Sequence, residues 1–345
     1  MNYTENAVSA KVHALFAKTL TDSDYENMMS FHTEEELFNY LHNETAYSDV
    51  IGSLPSVKLS RSRFESVLRK ISLDREASIC RFQKLIGDKT YRYFIMKDEI
   101  ETIIYCARHL DTSIITNLFE RPSVYKSEQC ISGEELQKAT SFEEFVNMLL
   151  PTHYGKLLEP LVNSENAYIS LAALERILYN NLYSETETII KKNYTGKSRA
   201  EIIDYIKFVS DMNLISSLYR LIDNYPGDVS YKTVMFMSDV TAFTKKQLSE
   251  MKASKTGQEF LDIVKSSVYK THFTGEITNI DLFVRKKLIG ESIKNIRFSE
   301  NPVLVVFSYE TIAKNEIQNI IHIIEGIKYN LSHDEISEII VKGGC

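Results

Sequence analysis

The chain has 345 residues, 43% of them hydrophobic, with only 12 glycines and 6 prolines. That length allows two or three domains with substantial cores, and the scarcity of Gly and Pro argues against phosphate-cradling loops and the many turns of a sandwich. The net charge of −7 argues against a dedicated nucleic-acid binder, which needs a basic face to meet a phosphate backbone.

In chain order, the apolar spacing predicts helices throughout. The first runs over residues 6–20 and a second starts at 21–24. A capped helix follows at Thr33, then a loop with Gly52 and Pro55. Helical segments at 63–71 and 74–85 end at Gly87-Asp88, and 91–110 reads as one long helix. Residues 111–129, with Pro122, form a junction. Residues 133–139 lead into a second capped helix at Ser141, followed by helices at 169–192 and 200–224. Tyr225-Pro226-Gly227-Asp228 is the clearest stop signal. Residues 232–251 lead to a third capped helix at Thr256, then a helix at 279–296. Asn301-Pro302 and the Val303–Phe307 run have the β-branched content of a strand. A helix start is predicted instead, because Asn caps, Pro is at no disadvantage in the first helical position, and the run flows into 314–328. The last predicted helix is 334–341. The fold class is all-α.

The three capped helices share one pattern. Thr33, Ser141 and Thr256 are each followed three residues later by Glu36, Glu144 and Glu259, the spacing of a capping box. Behind them lie Leu37, Tyr40 and Leu41; Phe145, Met148 and Leu149; and Phe260, Ile263 and Val264. This i, i+3, i+4 spacing makes a one-sided helix. Tyr47, Tyr154 and Tyr269 follow. The glutamates are 108 and 115 residues apart, too long for an ordinary solenoid repeat and suited to a small domain in triplicate. Capped helices alone would be commonplace in a helical chain, but a second block keeps step. It is centred on Glu65, Glu175 and Asp281, at steps of 110 and 106 residues. A third block, Lys97-Asp98-Glu99-Ile100, recurs as Lys314-Asn315-Glu316-Ile317, and its weaker middle counterpart lies near 211–218. The expected domains are residues 1–110, 111–228 and 229–345.

Chemistry-bearing motifs are sparse. Thr195-Gly196-Lys197-Ser198 resembles the end of a phosphate loop, but Lys191 stands where the motif needs its first Gly. It reads as a helix break, with Ser198 capping the next helix. The eight histidines are scattered, without HExxH or an i, i+4 partner. There is no G-x-S-x-G elbow and no CxxC among Cys80, Cys106, Cys130 and Cys345, a spacing that suits reduced thiols in a cytosolic protein. The acids Glu36, Glu144, Glu259, Glu65, Glu175 and Asp281 sit where helix caps need them. Basic runs such as Arg285-Lys286-Lys287 and Lys191-Lys192 read as solvated helix faces. No catalytic, cofactor-binding or metal-binding residue is expected. Residues 1–30 lack the apolar core of a secretion signal, and no apolar run approaches the ~20 residues of a membrane span. A soluble protein that meets a membrane only through other proteins is expected.

The triplicated blocks, together with Asn6–Leu15, Leu171–Tyr183 and Lys314–Ile320 with Gly326 and Lys328, resemble the family of the C subunit of V/A-type rotary ATPases, called the d subunit in the eukaryotic vacuolar enzyme. The resemblance spans essentially the whole chain. Lys11, His13, Gln318 and Ile321 stand where that family usually carries arginine. The resemblance implies three similar helical domains in a pseudo-threefold funnel. It implies a non-catalytic rotor component of the central stalk, one copy per complex, on the cytoplasmic face of the proteolipid ring. Its partners would be the D and F subunits of the shaft and the ring, with ATP turnover linked to proton or sodium transport. A helical scaffold unrelated to the ATPase is the alternative. The capping pattern predicts that Ser141→Ala and Thr256→Ala each lower stability by about 1 kcal/mol, read from the denaturation midpoint. Unchanged midpoints in both would contradict these helix starts.

Overall fold

The structure, a computed structural model, describes residues 3–48, 61–110, 131–158, 167–224 and 240–343. The loop with Gly52 and Pro55, the 111–129 junction and the 225–228 stop lie outside them. Every regular element among the described residues is a helix, so the all-α expectation holds. The helices are α1 (Tyr3–Phe16), α2 (Asp22–Met29), α3 (Glu34–Glu44), α4 (Arg61–Leu85), α5 (Tyr91–Arg108), α6 (Gly133–Leu136), α7 (Phe142–Leu149), α8 (Gly155–Leu158), α9 (Ala167–Asn193), α10 (Gly196–Asn224), α11 (Lys245–Ala253), α12 (Gly257–Lys265), α13 (Ile280–Phe298), α14 (Pro302–Lys328) and α15 (His333–Ile339).

Contacts divide the chain into two compact units, Met1–Asp88 with Asp281–Cys345, and Lys89–Ile280. The first is organised around α14, against which α1, α2, α3, α4 and α15 pack. α14 is buried around most of its circumference, with Glu310, Asn315, Glu316 and Asn319 buried among its apolar residues, as expected of a helix surrounded by others. Its Ile320, Ile323 and Ile324 share a core with Tyr25, Met28, Leu37, Leu41, Tyr47 and Leu68. In the second unit α9 packs against both α5 and α10. Leu174, Leu178 and Leu182 there meet Ile100, Ile103, Phe145, Leu149 and Tyr154.

The Asn301-Pro302 segment starts a helix. Pro302 occupies the first turn and Asn301 Oδ1 accepts from the Leu304 N–H at 3.4 Å. Val303 to Phe307 are all buried, as the neighbouring helices surround this part of α14. Three expectations shift. Segments 63–71 and 74–85 are one continuous helix, α4. α10 begins at Gly196, whose φ of +59° makes the reversal after α9, so Ser198 lies inside the first turn and is not its cap. The final helix stops at Ile339 and the chain continues extended, with Ile340 at φ −97° and ψ 156°.

The three predicted caps are present. Thr33, Ser141 and Thr256 hydroxyls accept from the N–H groups of Glu36, Glu144 and Glu259 at 3.2, 3.1 and 3.2 Å. The returning carboxylate completes the box at Thr33, whereas at Ser141 and Thr256 it closes one residue earlier. Glu36 accepts from His32 at 2.9 Å and also from Thr33, Glu144 accepts from Thr140 at 2.8 Å, and Glu259 accepts from Lys255 at 2.8 Å. A second triplet of caps precedes these. Thr21 with Asp24, Ser132 with Glu135 and Thr244 with Gln247 each form a complete capping box.

The backbone N–H and hydroxyl of Thr140 hold the Glu144 carboxyl below its ordinary value of 4.5. A depressed carboxyl contributes stability that is present above pH 4.5 and lost as pH falls through the folded value. Glu144→Gln should therefore flatten the fall of the urea midpoint on acidification below pH 4.5, and a parallel fall in variant and parent would refute this role.

Candidate functional site

Each of the three repeat tyrosines is placed by the same local device, starting from a hydroxyl two residues before it. Thr45 donates to the Leu41 carbonyl at 2.6 Å and accepts from the Tyr47 N–H at 3.3 Å. Thr152 donates to the Leu149 carbonyl at 2.6 Å and accepts from the Tyr154 N–H at 3.1 Å. Ser267 donates to the Val264 carbonyl at 2.6 Å and accepts from the Tyr269 N–H at 3.1 Å. A free carbonyl at the end of α3, α7 or α12 is thereby satisfied, and the turn that aims the tyrosine inward is fixed.

Each tyrosine then donates its hydroxyl to a buried carboxylate. Tyr47 reaches Glu316 at 2.5 Å, Tyr154 reaches Glu99 at 2.8 Å and Tyr269 reaches Asp211 at 2.7 Å. Glu99 and Glu316 are the acids of the third repeated block, and Asp211 opens the stretch where the weak middle copy was expected. The acids also capture the segment before the first capped helix. Glu316 accepts from the Leu20 N–H at 2.6 Å, and Asp211 accepts from the Ala242 N–H at 2.8 Å. Each of these two pins therefore joins three pieces of chain: a long helix, the entry to one short helix and the exit from the next.

The electrostatics follow from burial. Tyr47, Tyr154 and Asp211 are fully buried, and Glu99 and Glu316 nearly so. Desolvation pushes the carboxyls of Glu316 and Asp211 up, while Arg75, the tyrosine hydroxyls and the backbone donors pull in the opposite direction. The Tyr47 and Tyr269 hydroxyls are raised by burial first and by the facing acids second, so they remain protonated donors. Arg75 Nη1 lies 3.3 Å from Glu316 Oε1, and its guanidinium sits 4.9 Å from the centre of the Tyr47 ring. Glu316 is thus met by Tyr47, Arg75 and the Leu20 N–H, whereas Asp211 is met through Oδ2 by Tyr269 and the Ala242 N–H and keeps Oδ1 without a hydrogen-bond partner.

The remaining predicted features resolve individually. Thr195 lies between two helices and Gly196–Ser198 open the second of them, whereas a phosphate loop links a strand to a helix. Lys191 pairs with Glu187 at 2.9 Å and Lys197 with Glu201 at 3.6 Å. Glu175 is interior to α9 and receives Arg108 Nε at 2.9 Å, so it is an ion-pair partner and not a cap. Asp281 does sit in the first turn of α13. The Glu65 side chain lies outside the described residues. Arg285 departs from the solvated-face expectation: it turns inward to Asn315 and Asn319, and burial lowers it to about 10. Among the described residues, no group of three or more His, Cys, Asp or Glu is placed to hold a metal. Sequence reasoning identified the tyrosines and the outer acids separately but missed that they meet. The Ser/Thr two residues before each tyrosine was the available signal.

This architecture defines an all-helical protein in which pairs of capped short helices are pinned to long ones through buried tyrosine–carboxylate bonds. The model of the ATP synthase (C/AC39) subunit family matches residues 8–339, and the chain belongs to that family. No curated protein matches the sequence. No helix among the described residues is long and apolar enough to cross a membrane.

Tyr47→Phe, Tyr154→Phe and Tyr269→Phe keep the ring and remove one donor from a buried carboxylate. Each should cost about 1–3 kcal/mol by urea unfolding, against no measurable loss for Tyr329→Phe, which is 65% exposed. Equal, negligible losses in all four would show that the pins contribute nothing.

Proposed function

We propose that this chain is a non-catalytic rotor component of the central stalk of a V/A-type ATPase, present in one copy on the cytoplasmic side of the complex. It couples the shaft, made of the D and F subunits, to the proteolipid ring of the membrane sector, so that ATP turnover and proton or sodium transport are linked. In this reading the chain is three copies of one helical module, with sequence repeats at 1–110, 111–228 and 229–345. The observation that carries it is the family match over residues 8–339.

The architecture is in keeping with that role. A torque-bearing coupler needs stiffness and surface rather than a reaction centre. The repeated caps and the buried tyrosine–carboxylate pins supply stiffness, because each bond is directional and each acid is costly to leave unpaired. In this reading a partner in the membrane sector provides the attachment, since no helix among the described residues is long and apolar enough to span a bilayer.

The immobilised chain should retain detergent-solubilised proteolipid ring in one pull-down and the D subunit of the shaft in another. Retention of neither would overturn the proposal. Retention of only one would overturn the coupling role while leaving membership of the complex intact.

A further inference from the structure

The extended segment that follows α15 is held in an unusual way. Val341 has both of its backbone polar groups taken by side chains of α14. Its N–H donates to Asn319 Oδ1 at 3.0 Å, and its carbonyl accepts from Asn319 Nδ2 at 2.8 Å and Asn315 Nδ2 at 2.7 Å. Both asparagines are buried. Their amide orientation is set by Arg285 of α13, a donor-only group whose Nε reaches Asn315 Oδ1 at 2.9 Å and whose Nη2 reaches Asn319 Oδ1. Buried amides that engage a neighbour's backbone N–H and C=O read the main chain and are indifferent to the side chain it carries.

Side-chain selectivity comes from the flanking positions. Ile340 and Val341 are buried, and Ile340 belongs to the core cluster of this unit. Gly343 passes so close to α13 that a Cβ would lie 2.5 Å from Ile289 Cγ2 and 3.4 Å from Ile293 Cδ1. At the other end Ile336 packs over Gly326, where a Cβ would lie 2.5 Å from Ile336 Cγ1. Outside the groove, Lys342 and His333 both engage the exposed Glu26 of α2. The segment is joined to α14 through a turn at Asn330, with φ +53°, beside the partly exposed Leu331.

We infer that the α13–α14 face bearing Arg285, Asn315 and Asn319 is a peptide-binding groove whose ligand class is an extended chain of the form Ile-Val-x-Gly, occupied in cis by residues 340–343. The clamp is the main-chain reader, the apolar pair supplies burial, and the glycine admits close approach to α13. The 333–343 segment is then a docked strap, separable from the helices that bind it. The groove stands independently of the proposed role in the ATPase.

The test uses the full chain with a site-specific protease sequence inserted between Asn330 and Ser332. After cleavage, the excised segment should co-elute with the body. A fluorescein-labelled synthetic peptide of residues 332–343 should exchange into it with saturable anisotropy. Gly343→Val in the peptide, or Asn319→Leu in the body, should weaken that binding about tenfold or more, the equivalent of losing a single good hydrogen bond. Release of the segment without uptake of peptide, or equal uptake of the Gly343→Val peptide, overturns the inference. If cleavage unfolds the protein, hydrogen exchange on uncut Gly343→Val decides. Lost protection confined to residues 333–343 supports a strap, and lost protection throughout α14 overturns it.

Discussion

A buried carboxylate is the constraint from which most of this structure follows. Glu316 lies in the middle of α14 with almost no solvent, where an isolated ionised acid would cost several kcal/mol. It is tolerable only if donors converge on it. Those donors come from sequence-distant places: Leu20 is 296 residues away, Tyr47 is 269 and Arg75 is 241. Satisfying one side chain therefore brings the first 88 residues against the last 65 and makes them one compact unit. The hydrophobic core supplies the bulk of the driving force but is indifferent to register. The acid selects which segments meet.

The order of these residues along the sequence and their pairing in space differ by one step. Along the sequence, tyrosine precedes acid within each repeat. In space, Tyr154 bonds to Glu99 and Tyr269 to Asp211, each the acid of the preceding repeat, and Tyr47 takes the acid of the last one. The pairing is shifted by one position around the series. That shift is why Glu316, rather than Glu99, completes the site of the first tyrosine. Each of the three tyrosines thereby meets a buried carboxylate.

Local signals in the sequence were strong because they are short-range chemistry. The capping residues Thr33, Ser141 and Thr256 need only a neighbour three positions on, and Asn301-Pro302 needs only its own first turn, so both were legible. The triplet Thr21, Ser132 and Thr244 obeys the same rule and was readable but not set in register. The bonds of Tyr47 to Glu316 and of Arg285 to Asn315 were not legible. Glu316 and Asn315 sit on a helix face whose polar residues look solvated until the tertiary neighbour is known. Glu175 failed for the complementary reason: its spacing imitated a cap, yet its partner Arg108 lies 67 residues earlier on another helix. The backbone clamp on Val341 carried no pattern at all, since an asparagine that reads a main chain leaves no trace in the residue it reads.

These two kinds of contact have different mechanical consequences. Apolar packing is non-directional, so a helix held by it alone can slide or rotate at little cost as long as area stays buried. A hydroxyl–carboxylate bond loses its strength within a few tenths of an ångström and a modest change of angle, and it cannot be exchanged for water inside a core. Short helices such as α2 and α3 have little buried face with which to resist sliding. Their entry and exit are tied through Leu20 and Tyr47 to the same carboxylate, so movement of either end strains one buried group. A unit built this way transmits force as a body, which is the property the proposed coupling role requires of it.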